Sequence, residues 1–352
     1  MTGGKIRKAL RCAVFLCLLM LLFSRLDWIF CSKNAEMLTS AYFKEKRGTH
    51  DIVFLGPSTV MNAVYPPELW NTFGFTAYNL ATGNQSPSMS WYLAREVIKR
   101  DHPKLLVLDC GKMKVGEIYD TLSYLHFVTD RMPFLSVERL KLIRFAAAAS
   151  ECEFDETVGL IAPLTLYHNR WTELTYDDMR SQAKAMSFGA KVDGHTTQRE
   201  FEAFAPYEAD PDAALPELSE RQLRRIIEYC DSCGTKVLLL TMPNMMRARY
   251  VGQMSYEERV DAAAAVQKIA DEYGVPYLNL LDEGQNIGLD PLRHTTDGQH
   301  LNVKGAGIFT KWLGEWIAAN TDVEDRRGDS AYAYMNGRYQ TFTEYVARKT
   351  GS

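Results

Sequence analysis

Residues 52–55 read Ile-Val-Phe-Leu, an apolar run without polar alternation, and lead into Gly56-Pro57-Ser58. A strand wet on one face alternates apolar with polar side chains. An unbroken run suits a strand buried on both faces, as in a parallel sheet covered by helices. Glycine and proline end it. The pattern returns at 105–109 (LLVLD) and 236–241 (KVLLLT), with shorter strand patterns at 76–80 and 275–280. Between them, helical spacing occurs at 90–99, 219–230, 256–273 and 303–319, and Pro66-Pro67 opens a further helix. Strands alternating with helices predict an α/β fold, a three-layer α/β/α sandwich around a central, mostly parallel sheet.

In such a sheet ligands gather at the carboxyl ends of the strands, which is where Ser58 falls. A serine after a strand is usually a turn residue. A second stretch, residues 296–302 (TDGQHLN), changes its meaning. Asp297 and His300 stand three apart in a polar turn just before the last helix. That spacing lets the carboxylate hold one imidazole nitrogen, leaving the other to take a proton from a serine hydroxyl. Ser58, His300 and Asp297 are therefore the candidate catalytic set.

Taken together, the serine after strand one and the Asp297-Gly-Gln-His300-Leu-Asn-Val-Lys-Gly305-Ala block resemble the SGNH (GDSL-like) hydrolase superfamily. The likeness spans roughly residues 51–320. Gly56-Pro57-Ser58 stands where the family has Gly-Asp-Ser; Pro57 lacks an N–H, but Ser58 keeps its own. Within the superfamily the chain looks most like the membrane-anchored branch, the DltD-like and AlgX/AlgJ-like proteins. Asn79-Leu-Ala and the 167–171 run (YHNRW) add to that impression. The resemblance implies an oxyanion hole from the Ser58 N–H, a second-block glycine matched by Gly83, and a third-block asparagine. No asparagine follows strand three, where Cys110-Gly111 stand, so Asn84 is the substitute. The implied activity is an esterase or O-acyltransferase acting on acetyl-like esters of a cell-surface glycopolymer. A membrane-bound O-acyltransferase is the implied partner, and neither a metal nor an organic cofactor is implied. The competing reading is a non-catalytic scaffold of the same fold that binds polymer, favoured by Pro57 and the absent asparagine.

Lys5, Arg7, Lys8 and Arg11 precede or flank an uncharged run at 12–23. Twelve residues reach only ~18 Å, but residues 9–30 are long enough for a ~30 Å hydrocarbon core. Arg11 and Arg25 would snorkel, and Trp28 would sit at the far interface. A cleaved signal peptide competes, although Ser32-Lys-Asn-Ala35 is a poor cleavage site and Cys31 lacks a lipobox. The expected arrangement is a single-pass anchor at 1–34 in the cell membrane, basic end inside, with a connector at 35–48. An extracytoplasmic SGNH-like domain follows at 49–322, then a tail at 323–352.

Between strands three and four the α/β rhythm breaks. Residues 112–216 form a large insertion, expected to build a lid or substrate groove, because a structureless loop that long is uncommon. His168, Arg170 and Trp171 are its candidate substrate-binding residues: Arg170 for an anionic group, Trp171 for a sugar face. An aromatic cluster stitching the insertion to the core is the alternative. Asn244, after strand four, is a further candidate substrate contact. The formal charge of −4 gives no ground for a nucleic-acid partner. Cys230 and Cys233 make the only CxxC; no second ligand pair stands out for zinc, and the pair remains open to a disulfide.

Overall fold

Ile52–Leu55 is buried on both sides, and alternate residues serve different cores. Val53 and Leu55 face one hydrophobic cluster; Ile52 and Phe54 face the other. The same two-residue period divides Leu106 and Leu108 from Leu105 and Val107, and Val237 and Leu239 from Leu238 and Leu240. The computed structural model describes residues 3–30, 41–114, 122–149, 152–179, 187–196, 207–244 and 254–351. Strands β1 (Ile52–Leu55), β2 (Ala77–Asn79), β3 (Leu105–Asp109), β4 (Lys236–Thr241) and β5 (Tyr277–Asn279) form one sheet in the order β2-β1-β3-β4-β5. Every pairing is parallel. β1 pairs with β2 on one side and β3 on the other, so the chain reverses its winding at β1, the switch point where such sheets open a crevice.

The helices, in chain order, begin with α1 (Gly3–Phe30), α2 (Ser58–Ala63), α3 (Pro66–Phe73) and α4 (Pro87–Asp101). The insertion contributes α5 (Leu122–Thr129), α6 (Val137–Ala149), α7 (Phe154–Ile161), α8 (Leu164–Tyr167) and α9 (Tyr176–Met179). Next come α10 (Glu217–Ser232), α11 (Tyr256–Tyr273), α12 (Gly284–Ile287), α13 (Pro291–His294), α14 (Val303–Asn320) and α15 (Tyr334–Thr350). α4, α10 and α11 pack on one face of the sheet; α2, α3 and α14 pack on the other. This is the expected three-layer α/β architecture with a parallel central sheet.

α1 is long and apolar enough to cross a membrane. Its residues 4–22 are exposed, but its last turns are built into the insertion. The Leu164 N–H donates to Asp27 Oδ1 at 2.6 Å, and Arg170 Nη1 donates to the Phe30 carbonyl at 2.6 Å. Cys31, the cleavage-site candidate at 32–35 and part of the 35–48 connector lie outside the described residues.

The insertion, expected to form a lid or substrate groove, is seen here only in its described parts. α6 lies against α4, with Glu138 accepting from Arg95 Nε at 2.8 Å and Lys99 Nζ at 2.5 Å. Buried Arg139 donates to the carbonyls of Thr129, Phe134, Leu160 and Ile161, tying α5, α6 and α7 together. Its described helices thus join α1 to the sheet domain. Residues 188–189 meet the edge of β2, where the Asn79 N–H donates to the Phe188 carbonyl at 2.8 Å, and the segment continues to α2 and α14 through the Met61 and Asp193 carbonyls, which accept from the Lys191 and Val303 N–H groups at 2.9 and 2.8 Å. Covering an open strand edge is reason enough for this segment. The 115–121, 150–151, 180–186 and 197–206 parts of the insertion lie outside the described residues.

Residues beyond 322 stay on the domain. α15 packs on α3, burying Phe342 edge-on to Tyr65 (ring centroids 5.5 Å apart), and Trp70 Nε1 donates to Asn336 Oδ1 at 3.0 Å. These partners lie some 270 positions apart in the sequence, so the contacts were not legible there. Cys230 and Cys233 are free thiols, one buried and one exposed. Burial pushes the Cys230 thiol up to about 12.

Candidate active site

Gly56 makes the turn out of β1 possible. Its φ is +154°, and a Cβ there would stand 2.7 Å from Asp109 Cβ on the neighbouring strand. No larger residue fits without moving β3. After Pro57 the chain turns at once into α2, whose first residue is the half-buried Ser58. Two asparagines hold this short helix. Asn62 Nδ2 donates to the Ser58 carbonyl at 2.7 Å, and fully buried Asn79 donates to the Val60 and Val64 carbonyls at 2.9 and 3.0 Å.

His300 comes from a tight loop closed by an antiparallel bridge between Thr295 and Leu301. The Thr296 N–H donates to the His300 carbonyl at 2.9 Å, and the Gly298 N–H to Thr295 Oγ1 at 2.9 Å. Asn302 caps α14 immediately afterwards, accepting from the Lys304 and Gly305 N–H groups at 3.1 Å each. Gly305 lets α14 approach this loop, because a Cβ there would lie 2.3 Å from the His294 carbonyl oxygen.

These two loops meet across 242 positions of sequence. Ser58 Oγ lies 2.8 Å from His300 Nε2, and His300 Nδ1 lies 2.7 Å from Asp297 Oδ2. Asp297 Oδ1 also accepts the His300 and Gln299 N–H groups at 2.8 and 2.9 Å. Burial alone would raise the Asp297 carboxyl. The imidazole and the two N–H donors outweigh it and hold the group at about 2. An ionised Asp297 fixes the proton on His300 Nδ1, which leaves Nε2 as the acceptor facing the Ser58 hydroxyl. The arrangement can take a proton from Ser58 and stabilise the resulting imidazolium.

The turn at 82–86 sits beside this nucleophile loop, since the Thr82 N–H donates to the Gly56 carbonyl at 3.1 Å. Gly83 faces the Phe127 ring, and Asn84 is in the left-handed region at φ +46°. Neither the Ser58 nor the Gly83 N–H is taken by a backbone carbonyl among the described residues. Asn244 lines a cleft beside Ser58, together with Pro57, Thr59 and Gln299.

His168, Arg170 and Trp171 are not brought to this place. They stand on the turn His168–Thr172 next to the end of α1, and none lines the cleft. Arg170 binds the Phe30 carbonyl and pairs with Asp178 at 3.2 Å; His168 Nδ1 contacts the Thr165 carbonyl at 2.8 Å. Of the three, Arg170 ties the insertion to the end of α1, His168 bonds within the insertion and Trp171 is exposed.

Three residues that the sequence reading passed over enter here. Asp109, Lys112 and Arg259 line the same cleft. Asp109 and Lys112 share a signal of position: Asp109 ends β3 and Lys112 lies just beyond it, where ligands collect. Among the described residues no group of His, Cys, Asp and Glu forms a metal-binding cluster.

No protein-family model and no curated protein matches this chain. Solved structures do resemble it at low identity. A protein assigned as an acylhydrolase from Bacteroides fragilis is 14% identical over 76% of this chain and 86% of its own, with a TM-score of 0.36. A GDSL-like lipase from Bacteroides thetaiotaomicron is 12% identical over 76% of this chain and 87% of its own, with a TM-score of 0.34. A gut microbial diltiazem-metabolizing enzyme is 9% identical over 78% of this chain and 48% of its own, with a TM-score of 0.37.

Proposed function

We propose that this chain is a membrane-tethered, serine-dependent esterase or O-acyltransferase of the SGNH type. The observation that carries the reading is the unbroken relay from Ser58 through His300 to Asp297, at 2.8 and 2.7 Å. A scaffold that only bound polymer would have no need of it. Ser58 Oγ attacks the ester carbonyl as its proton passes to His300 Nε2, and the carbonyl oxygen becomes an oxyanion. The Ser58 and Gly83 N–H groups receive that oxyanion, each worth roughly 3 kcal/mol. Collapse breaks the acyl–oxygen bond, and His300 returns the proton to the leaving alcohol. Water or an acceptor hydroxyl then takes the acyl group from Ser58.

The end of α1 is integrated with the insertion through Asp27 and Phe30, which favours a retained anchor over a removed leader. With the basic end inside, the site faces the cell exterior and its acylated glycopolymers. A membrane-bound O-acyltransferase is the matching acyl donor. The test uses the full chain in detergent with 4-nitrophenyl acetate. Ser58→Ala should lower turnover by about 10³-fold or more, and a fluorophosphonate should label the wild type alone. Undiminished turnover by the variant would overturn the reading.

A further inference from the structure

The cleft beside Ser58 holds two cationic side chains. Lys112 lies just beyond β3 and Arg259 in the first turns of α11. Both are half-buried, and among the described residues neither side chain makes a hydrogen bond or an ion pair. Long cationic side chains held in a crevice without a bonded partner are costly unless something anionic joins them. Each shows that cost: burial pulls the Lys112 ammonium and the Arg259 guanidinium below their ordinary values, and Arg259 adds its repulsion at Lys112.

Among the described residues Asp109 is the one carboxylate lining the cleft, and it does not settle the balance. Its oxygens are engaged by the Gly111 N–H at 2.8 Å and the Met242 N–H at 3.2 Å. Two cations against one carboxylate leave a net positive charge. The cleft encloses about 30 Å³, room for a water or two and so for the head of a small anion rather than a polymer chain. Its walls include Pro57 and Thr59, the chain neighbours of Ser58, and Gln299, the neighbour of His300.

We infer that Lys112 and Arg259 form an anion subsite next to the nucleophile, so that the ester handled at Ser58 carries a carboxylate or phosphate close to its reacting carbonyl. This rests on the proposed serine chemistry and narrows its substrate class. The carboxylate or phosphate docks between the two cations and aligns the ester over Ser58 Oγ. Bonds made and broken are those of the acyl transfer already described, and the subsite group itself does not react.

The experiment compares matched aryl acetates on the full chain in detergent: 4-acetoxybenzamide, 4-acetoxybenzoate and 4-acetoxyphenyl phosphate. The readout is the kcat/KM ratio of each anionic ester to the neutral one. The wild type should prefer at least one anion, and which one separates carboxylate from phosphate. In Lys112→Gln/Arg259→Gln that ratio should fall by roughly 10- to 100-fold, the usual loss of a hydrogen bond to a charged group. Added NaCl should lower the wild-type ratio without any mutation, which keeps the test open if the double variant does not fold. Ratios near one in the wild type, or ratios untouched by both salt and substitution, would overturn the subsite while leaving the serine chemistry standing. If Ser58→Ala turns over the neutral ester like the wild type, or no ester is turned over at all, the parent reading fails instead.

Discussion

Replacing Asp109 by asparagine should make the protein more heat-resistant relative to wild type as pH rises. Asp109 is 4% exposed at the carboxyl end of β3. Burial pushes its carboxyl up to about 6 from the ordinary 3.8, against the pull of the Gly111 and Met242 N–H donors and of Lys112 and Arg259. At ~1.4 kcal/mol per pH unit that rise corresponds to roughly 3 kcal/mol. Because the folded value is the higher one, the native state holds more protons than the unfolded chain between about pH 4 and 6. Stability therefore falls as pH climbs through that window, and the loss is complete above it. Asparagine does not titrate, so it removes this loss. It also turns one NH₂ toward a backbone N–H, a pH-independent penalty of ~1–3 kcal/mol. The two effects separate by their pH dependence. At ~2.1 cal/mol/K per residue, 3 kcal/mol corresponds to ~4 °C for a chain of this length. Thermal melts of both proteins in detergent, followed by tryptophan fluorescence, should show the variant-minus-wild-type Tm rising by about that much from pH 4 to pH 8. A flat or falling difference would show that Asp109 is not a desolvated carboxylate in the native protein.

Asp297→Asn should lower kcat on 4-nitrophenyl acetate by about 10²- to 10⁴-fold while leaving KM near wild type, because the amide no longer fixes the His300 tautomer; steady-state kinetics check this. Its acid behaviour runs opposite to that of Asp109. The native carboxyl lies at about 2, so its stabilisation is present above about pH 4 and lost as pH falls toward 2, and the Tm gap between wild type and this variant should close over that range. Phe342→Ala should destabilise the whole domain by ~3–5 kcal/mol in urea titrations; a small change would mean that α15 is an appendage and not part of the core.

The sheet was legible because its strands are buried on both faces. Runs such as 52–55 and 236–241 carry no alternation to confuse with a helix, and glycine or proline marks the ends of several elements. The Asp297–His300 pair was legible because a local spacing encodes it. What bonds to what at long range was not. Thr310 accepts the Tyr65 N–H and donates to the Ala63 carbonyl, 245 and 247 positions away, and nothing near Thr310 announces it. Arg170 and Trp171 looked like substrate contacts because exposed aromatic and cationic residues are common at both binding sites and seams. Lys112 and Arg259 were passed over for the converse reason: single charges on ordinary-looking segments gain meaning only when folding puts them in one crevice.

The clamp on the residues that follow Ser58 has a consequence for biosynthesis. α2 and α3 are held by Thr310 on α14 and by Phe342 on α15, both made well after Ser58. Ser58 is synthesised 242 positions before His300, so it waits without an imidazole beside it. The Ser58–His300–Asp297 contacts can therefore form only after residue 300 has been made, and loss of α15 would take Phe342 away from Tyr65 beside α2.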